Sequence, residues 1–171
     1  MKGETKDPKR QLQGKLAKAK GKRFETLLDA SFEYYRQKGF ASIDKTPEPM
    51  RPLRNLENGK FIACFEKKAQ PDYKGVIKGG REVVYEAKFT SGDRMEQSRV
   101  LSQQADYMTR HQNLGARCYV IAGFNTGGVY CIPWGVWSHM KERFGRKYVT
   151  EADLEKYKVQ TAWNGTLLLI E

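Results

Sequence analysis

Two short β-forming runs, Gln70 to Ile77 and Glu82 to Phe89, flank a Lys78-Gly79-Gly80-Arg81 centre. Both glycines of such a pair can take positive φ, so this stretch predicts a hairpin. With the turn centred on Gly79-Gly80, Asp72 lies opposite Ala87 and diagonal to Glu86 and Lys88. Strand side chains alternate faces, so Glu86 and Lys88 point the same way. Asp72, Glu86 and Lys88 are then expected to converge on one patch, and a one-residue slip of register would alter that geometry.

Two carboxylates and an ammonium in one patch suit a divalent metal beside a phosphate. Mg²⁺ prefers carboxylate oxygens and keeps several waters. A metal-bound water is more acidic than bulk water and can attack phosphorus. Lys88 is placed to orient that water or to offset charge developing on the phosphate. Glu-x-Lys on a strand is equally the pattern of a surface ion pair, and Asp before a turn is ordinary turn chemistry. The surrounding chain therefore has to decide between the two.

Charge is the first discriminator. The chain has 171 residues and a net charge of +11, from 31 Lys and Arg against 20 Asp and Glu. That balance favours a polyanionic partner, nucleic acid before an anionic membrane. The longest apolar runs are strand-sized, such as Leu167 to Ile170, so no transmembrane helix is expected. The first residues lack the apolar core of a signal peptide. Cys64, Cys118 and Cys131 have no metal-ligand spacing and read as reduced, mostly buried thiols. A cytoplasmic location is the expectation.

Residues 1–21 carry Lys2, Lys6, Lys9, Arg10, Lys15, Lys18 and Lys20 against Glu4 and Asp7. They are expected to form a flexible basic arm ahead of one domain over 22–171. Phe24, Leu27, Leu28, Ser31, Phe32 and Tyr35 recur at helical spacing over 22–38, with Glu25 beside the stripe. Phe40 to Asp44 reads as a strand. Pro47, Pro49 and Pro52 exclude a central strand or helix nearby, while Phe61 to Phe65 reads as a strand. Residues 46–69 are thus expected to project as a loop or hairpin. A helix is expected over 94–112, with Leu101, Ala105 and Met108 as its apolar face and Gln104 close by. Arg117 to Phe124 reads as a buried strand, Val129 to Ile132 as its return, and Pro133 as the start of a helix. Thr150-x-x-Asp153 resembles a capping box, and Asn164-Gly165 a turn between two last strands. His111 and His139 have no partner motif and are read as structural.

The order helix with Glu25, strand, insertion, Asp72, hairpin, Glu86-Ala87-Lys88, helix with Gln104 resembles the PD-(D/E)XK nuclease superfamily. More narrowly it resembles the RecU-type Holliday junction resolvases. The similar pieces are Gly21-Lys22-Arg23-Phe24-Glu25, Tyr34-Tyr35, Lys45-Thr46-Pro47-Glu48-Pro49, Asp72-Tyr73-Lys74-Gly75-Val76, Glu86-Ala87-Lys88, and Gln104 with Met108. They span roughly residues 20–125. The resemblance implies a restriction-endonuclease-like α/β fold, a mixed central sheet flanked by helices, with residues 47–69 as a stalk. It implies a homodimer acting on branched double-stranded DNA, with Mg²⁺ as cofactor and Mn²⁺ as the alternative. Asp72, Glu86 and Gln104 would serve the metal, Lys88 the transition state, and Glu25 would join the catalytic set. DNA contacts would fall on Lys15, Lys18, Lys20, Lys22, Arg23, Arg51, Arg54, Lys67, Lys68 and Lys74. One departure is Gln70, where a threonine that helps hold the metal is common. The implied activity is an endodeoxyribonuclease that resolves four-way junctions by paired nicks in recombination and repair. The alternatives are the same nuclease acting on other branched or linear duplexes, or a basic DNA-binding protein without catalysis.

Overall fold

The structure, a computed structural model, describes residues 8–47, 49–65 and 70–170. Helix α1 (Pro8–Gln37) leads into strand β1 (Ala41–Lys45). Strands β2 (Met50–Asn55) and β3 (Phe61–Phe65) form a separate antiparallel hairpin. Then come β4 (Tyr73–Ile77), β5 (Arg81–Thr90), β6 (Arg94–Glu96), α2 (Ser102–Asn113), β7 (Arg117–Phe124) and β8 (Val129–Pro133). Two short helices, α3 (Trp134–Trp137) and α4 (Met140–Phe144), precede β9 (Tyr148–Thr150), which pairs with β6. The central sheet runs β1-β4-β5-β7-β8 and is mixed, with β5 and β7 parallel and the other pairs antiparallel. This is the mixed α/β fold expected above. The parallel pair exists because α2 forms the crossover that returns the chain in the same direction.

The sheet is covered on both faces. Phe24, Leu28, Phe32 and Tyr35 of α1 pack on Tyr73, Val83, Tyr85 and Ile121, joined by Leu167 and Leu169 from the end of the chain. Each such side chain contributes on the order of 1.5–3 kcal/mol by leaving water. Met108 of α2, with Trp134, Trp137 and Met140, closes the opposite face over Val84, Val120 and Ala122. Gly75 explains part of one motif. A Cβ there would stand 1.9 Å from the Ser42 carbonyl oxygen, so β1 and β4 approach only because the side chain is absent.

Several expectations are corrected. The stretch expected as a flexible arm is helical from Pro8 onward, because its Lys, Ala, Gln and Arg residues are strong helix formers. The packed turns downstream supply the nucleus, so extension carries no initiation cost. The helix expected from residue 94 starts at Ser102, since Arg94 to Glu96 pair with β9 and Gln97 to Arg99 form a 3₁₀ turn. Leu101 is half exposed rather than core, while Met108 is fully buried. The helix expected after Pro133 is broken at Ser138-His139. The two last strands reduce to one Thr161–Leu167 bridge. The Pro-rich stretch contributes no strand to the central sheet; β2 and β3 pair in a sheet of their own, and the ladder slips between Pro52 and Arg54, which accommodates Pro52.

Candidate active site

The turn of the central hairpin holds three residues, not two. Ile77 pairs with Arg81 and accepts the Gly80 N–H at 3.0 Å, with Gly79 and Gly80 at φ of 96° and 81°. The register is one residue away from that expected. Tyr73 faces Tyr85, and Asp72, just beyond the ladder, faces Glu86 instead of Ala87. The shift is what makes the site. Directly opposed residues share a face, whereas the expected pairing would have put Asp72 with Ala87 on the α1 side.

Asp72 and Glu86 interlock. The Asp72 N–H donates to Glu86 Oε2 at 3.3 Å, and the Ala87 N–H donates to Asp72 Oδ2 at 2.9 Å. Glu86 is wholly buried, and its Oε1 accepts no hydrogen bond of good geometry, although the Lys88 ammonium forms an ion pair with it. Burial, then the charge of Asp72, pushes the Glu86 carboxyl up to about 7 against the pull of Lys88. Burial likewise raises Asp72, opposed by the Ala87 N–H and Lys88. Two carboxylates packed this closely resist ionising together unless a cation joins them.

The surrounding residues frame a cavity of about 520 Å³, lined by Glu25, Asp72, Lys88, Ser91 and Arg99 among others. Glu25 is half exposed and accepts from Lys45 Nζ at 2.7 Å. That bond, with the charges of Asp29 and Asp72, raises the Lys45 ammonium. The Thr46 N–H donates to the Asp72 carbonyl at 2.8 Å, which ties the end of β1 to the site. Gln104 is buried. Its Oε1 accepts the Leu101 N–H at 3.0 Å and its Nε2 donates to the Gln70 carbonyl at 3.5 Å. It therefore braces the segment before Asp72. The Gln70 side chain accepts from Lys74 at 3.1 Å.

Lys15, Lys18, Lys20, Lys22 and Arg23 are exposed on α1, and Lys20 donates to Asn125 Oδ1 at 2.5 Å. Arg51 and Arg54 are exposed on β2, while Lys67 and Lys68 lie outside the described residues. The sequence reading gave Lys45 no role beyond its place in a family motif and missed Arg99. Lysine at a strand end and arginine before a helix are too common to signal a site, and distant pairings bring both there.

The oxygen donors fit a hard divalent cation. Glu86 and Asp72 each have an oxygen without a described hydrogen bond, and Mg²⁺ completes its shell with water. Among the described residues no group of three or more His, Cys, Asp or Glu is close enough to hold a metal alone.

A mixed sheet with Asp72 just before β4, and with Glu86 and Lys88 within β5, is the arrangement of the class that the motifs suggested. Residues 19–169 match the family model of RecU, recombination protein U, and the chain belongs to that family. It is 29% identical over 150 residues to the Holliday junction resolvase RecU of Geobacillus sp. strain WCH70, covering 81% of this chain and 73% of that one. It is 29% identical over 113 residues to the Holliday junction resolvase RecU of Streptococcus thermophilus strain LMD-9, covering 63% and 57%. Among solved structures it is similar to Hjc, a Holliday junction resolvase of Archaeoglobus fulgidus. That match has TM-score 0.49 and 16% identity, over 80% of this chain and 88% of that one. Among the described residues no helix is long and apolar enough to cross a membrane.

Proposed function

We propose that this chain is a Mg²⁺-dependent endodeoxyribonuclease that resolves four-way DNA junctions by paired nicks in recombination and repair. The observation that carries this reading is the interlocked Asp72–Glu86 pair, with Glu86 wholly buried beside Lys88. A carboxylate held at that cost has a use for its charge. Asp72 and Glu86 would hold Mg²⁺, with Mn²⁺ as the alternative, and the bound ion would supply Lewis acidity next to the phosphate.

The remaining residues position and neutralise. Lys88 offsets the charge of Glu86 and presents an ammonium toward the cavity, where it would stabilise charge developing on a phosphoryl oxygen. Lys45 fixes the Glu25 carboxylate at the cavity margin. Gln104 keeps the approach to Asp72 in place through Gln70. Exposed Lys and Arg on α1 and β2 would bind the phosphate backbone, and the β2–β3 hairpin would enter the opening of a junction. A homodimer would present two such sites to a nearly two-fold substrate.

The test is cleavage of a synthetic four-way junction beside a matched linear duplex, with Mg²⁺, with Mn²⁺ and with a chelator. Paired, metal-dependent nicks in the junction support the reading. Equal cutting of the duplex would favour a nuclease of broader substrate range, and junction binding without cutting in either metal would reduce the chain to a binder.

A further inference from the structure

Resting on the nuclease reading, we infer that Arg99 is a further substrate-binding residue, a guanidinium clamp for a DNA phosphate at the mouth of the site. Glu25, Asp72 and Glu86 concentrate negative charge where a phosphodiester would have to approach. Of the two cations that line the cavity among the described residues, Lys88 is paired with Glu86. Arg99 is exposed and makes no hydrogen bond or ion pair with a described side chain. By contrast, its neighbour Arg94 is engaged by Glu96 at 3.0 Å and lies over the Tyr148 ring.

The base of Arg99 is nevertheless fixed. The 3₁₀ turn that ends on it is held by the Gln97 amide, which donates to the Trp137 and Ser138 carbonyls at 2.9 Å each. The flanking Met95 and Val100 are buried, and the Val100 N–H returns to the Gln97 carbonyl at 3.2 Å. An anchored backbone with a free guanidinium suits phosphate binding, since the planar fork offers two parallel donors to two phosphate oxygens. Lys20 and Arg23 line a different cavity across Phe24 and Phe89, so the phosphate taken by Arg99 is distinct from theirs.

The test uses the full chain in chelator, with a four-way junction as probe, and compares wild type, Arg99→Lys and Arg99→Gln. Arg99→Gln should bind about tenfold more weakly, as expected for loss of a charge-assisted hydrogen bond. The slope of log affinity against log salt should flatten by roughly 0.9, the value of one phosphate contact on B-DNA. Arg99→Lys should recover part of both, and the melting temperatures should match. Neutral methylphosphonates placed one at a time should then find a position that weakens wild type but not Arg99→Gln. Unchanged affinity and slope in Arg99→Gln, or no position silenced by it, would overturn the proposal. Loss of cleavage by the wild-type protein would refute the nuclease reading while leaving this binding comparison intact.

Discussion

Replacing Glu86 by Gln should stabilise the metal-free protein, and the gain should depend on pH. The Glu86 carboxyl moves from an ordinary 4.5 to about 7 on folding, so the folded state binds its proton more tightly than the unfolded state does. Stability from this group is therefore fully present below the unfolded value and is lost as pH rises toward the folded one. A shift of that size corresponds to about 3 kcal/mol at pH 8, at roughly 1.4 kcal/mol per pKa unit. At pH 5 less than about 1 kcal/mol of the penalty remains. Glutamine keeps the shape and carries no charge, so Glu86→Gln should exceed wild type by about 3 kcal/mol at pH 8 and differ little at pH 5. For a chain of this size that is roughly 6–12 °C in melting temperature. Urea unfolding in chelator at both pH values reads it directly. A variant no more stable than wild type at pH 8, or a gap equal at both pH values, would refute the idea that Glu86 is held ionised at a cost.

Other outcomes follow from the same geometry. Asp72→Asn and Glu86→Gln should each abolish cleavage while junction affinity, measured by gel shift, stays within about twofold, because affinity comes from the basic surface. Lys88→Ala should lose cleavage but keep Mg²⁺ binding, since an ammonium is no metal ligand; calorimetry with Mg²⁺ separates the two. Replacing residues 50–66 with a short Gly-Ser link should leave duplex binding intact and lower the preference for junction over duplex in competition assays. Gly75→Ala should cost about 3 kcal/mol or more in chemical denaturation, because the new methyl meets the Ser42 carbonyl.

What the sequence made legible was mostly local. Gly79-Gly80 announced the hairpin, and the apolar run of Arg117–Phe124 announced a strand covered on both sides. The register was not legible, because Gly-Gly serves two-residue and three-residue turns alike, and the hydrogen bond from Gly80 to Ile77 chooses between them. The same limit hid β6, whose three residues are a strand only because Tyr148 to Thr150 lie beside them. In the candidate site, Asp72, Glu86 and Lys88 stood out through their motifs and the structure brings them together. Glu25 stood out too, but its pairing with Lys45 did not, since twenty residues separate them and only the packing of α1 on β1 joins them. Gln104 was expected to assist a metal; its oxygen is instead engaged by the Leu101 N–H.

The most direct test is calorimetric titration of Mg²⁺, and separately Mn²⁺, into metal-free wild type and Asp72→Asn at pH 7 in buffers of different ionisation enthalpy. If Asp72 and Glu86 form a divalent-cation site, wild type should bind with release of a fraction of a proton to about one proton, because Glu86 is partly protonated there. Asp72→Asn should lose that binding. Equal binding by both proteins, or none by wild type, would contradict the site.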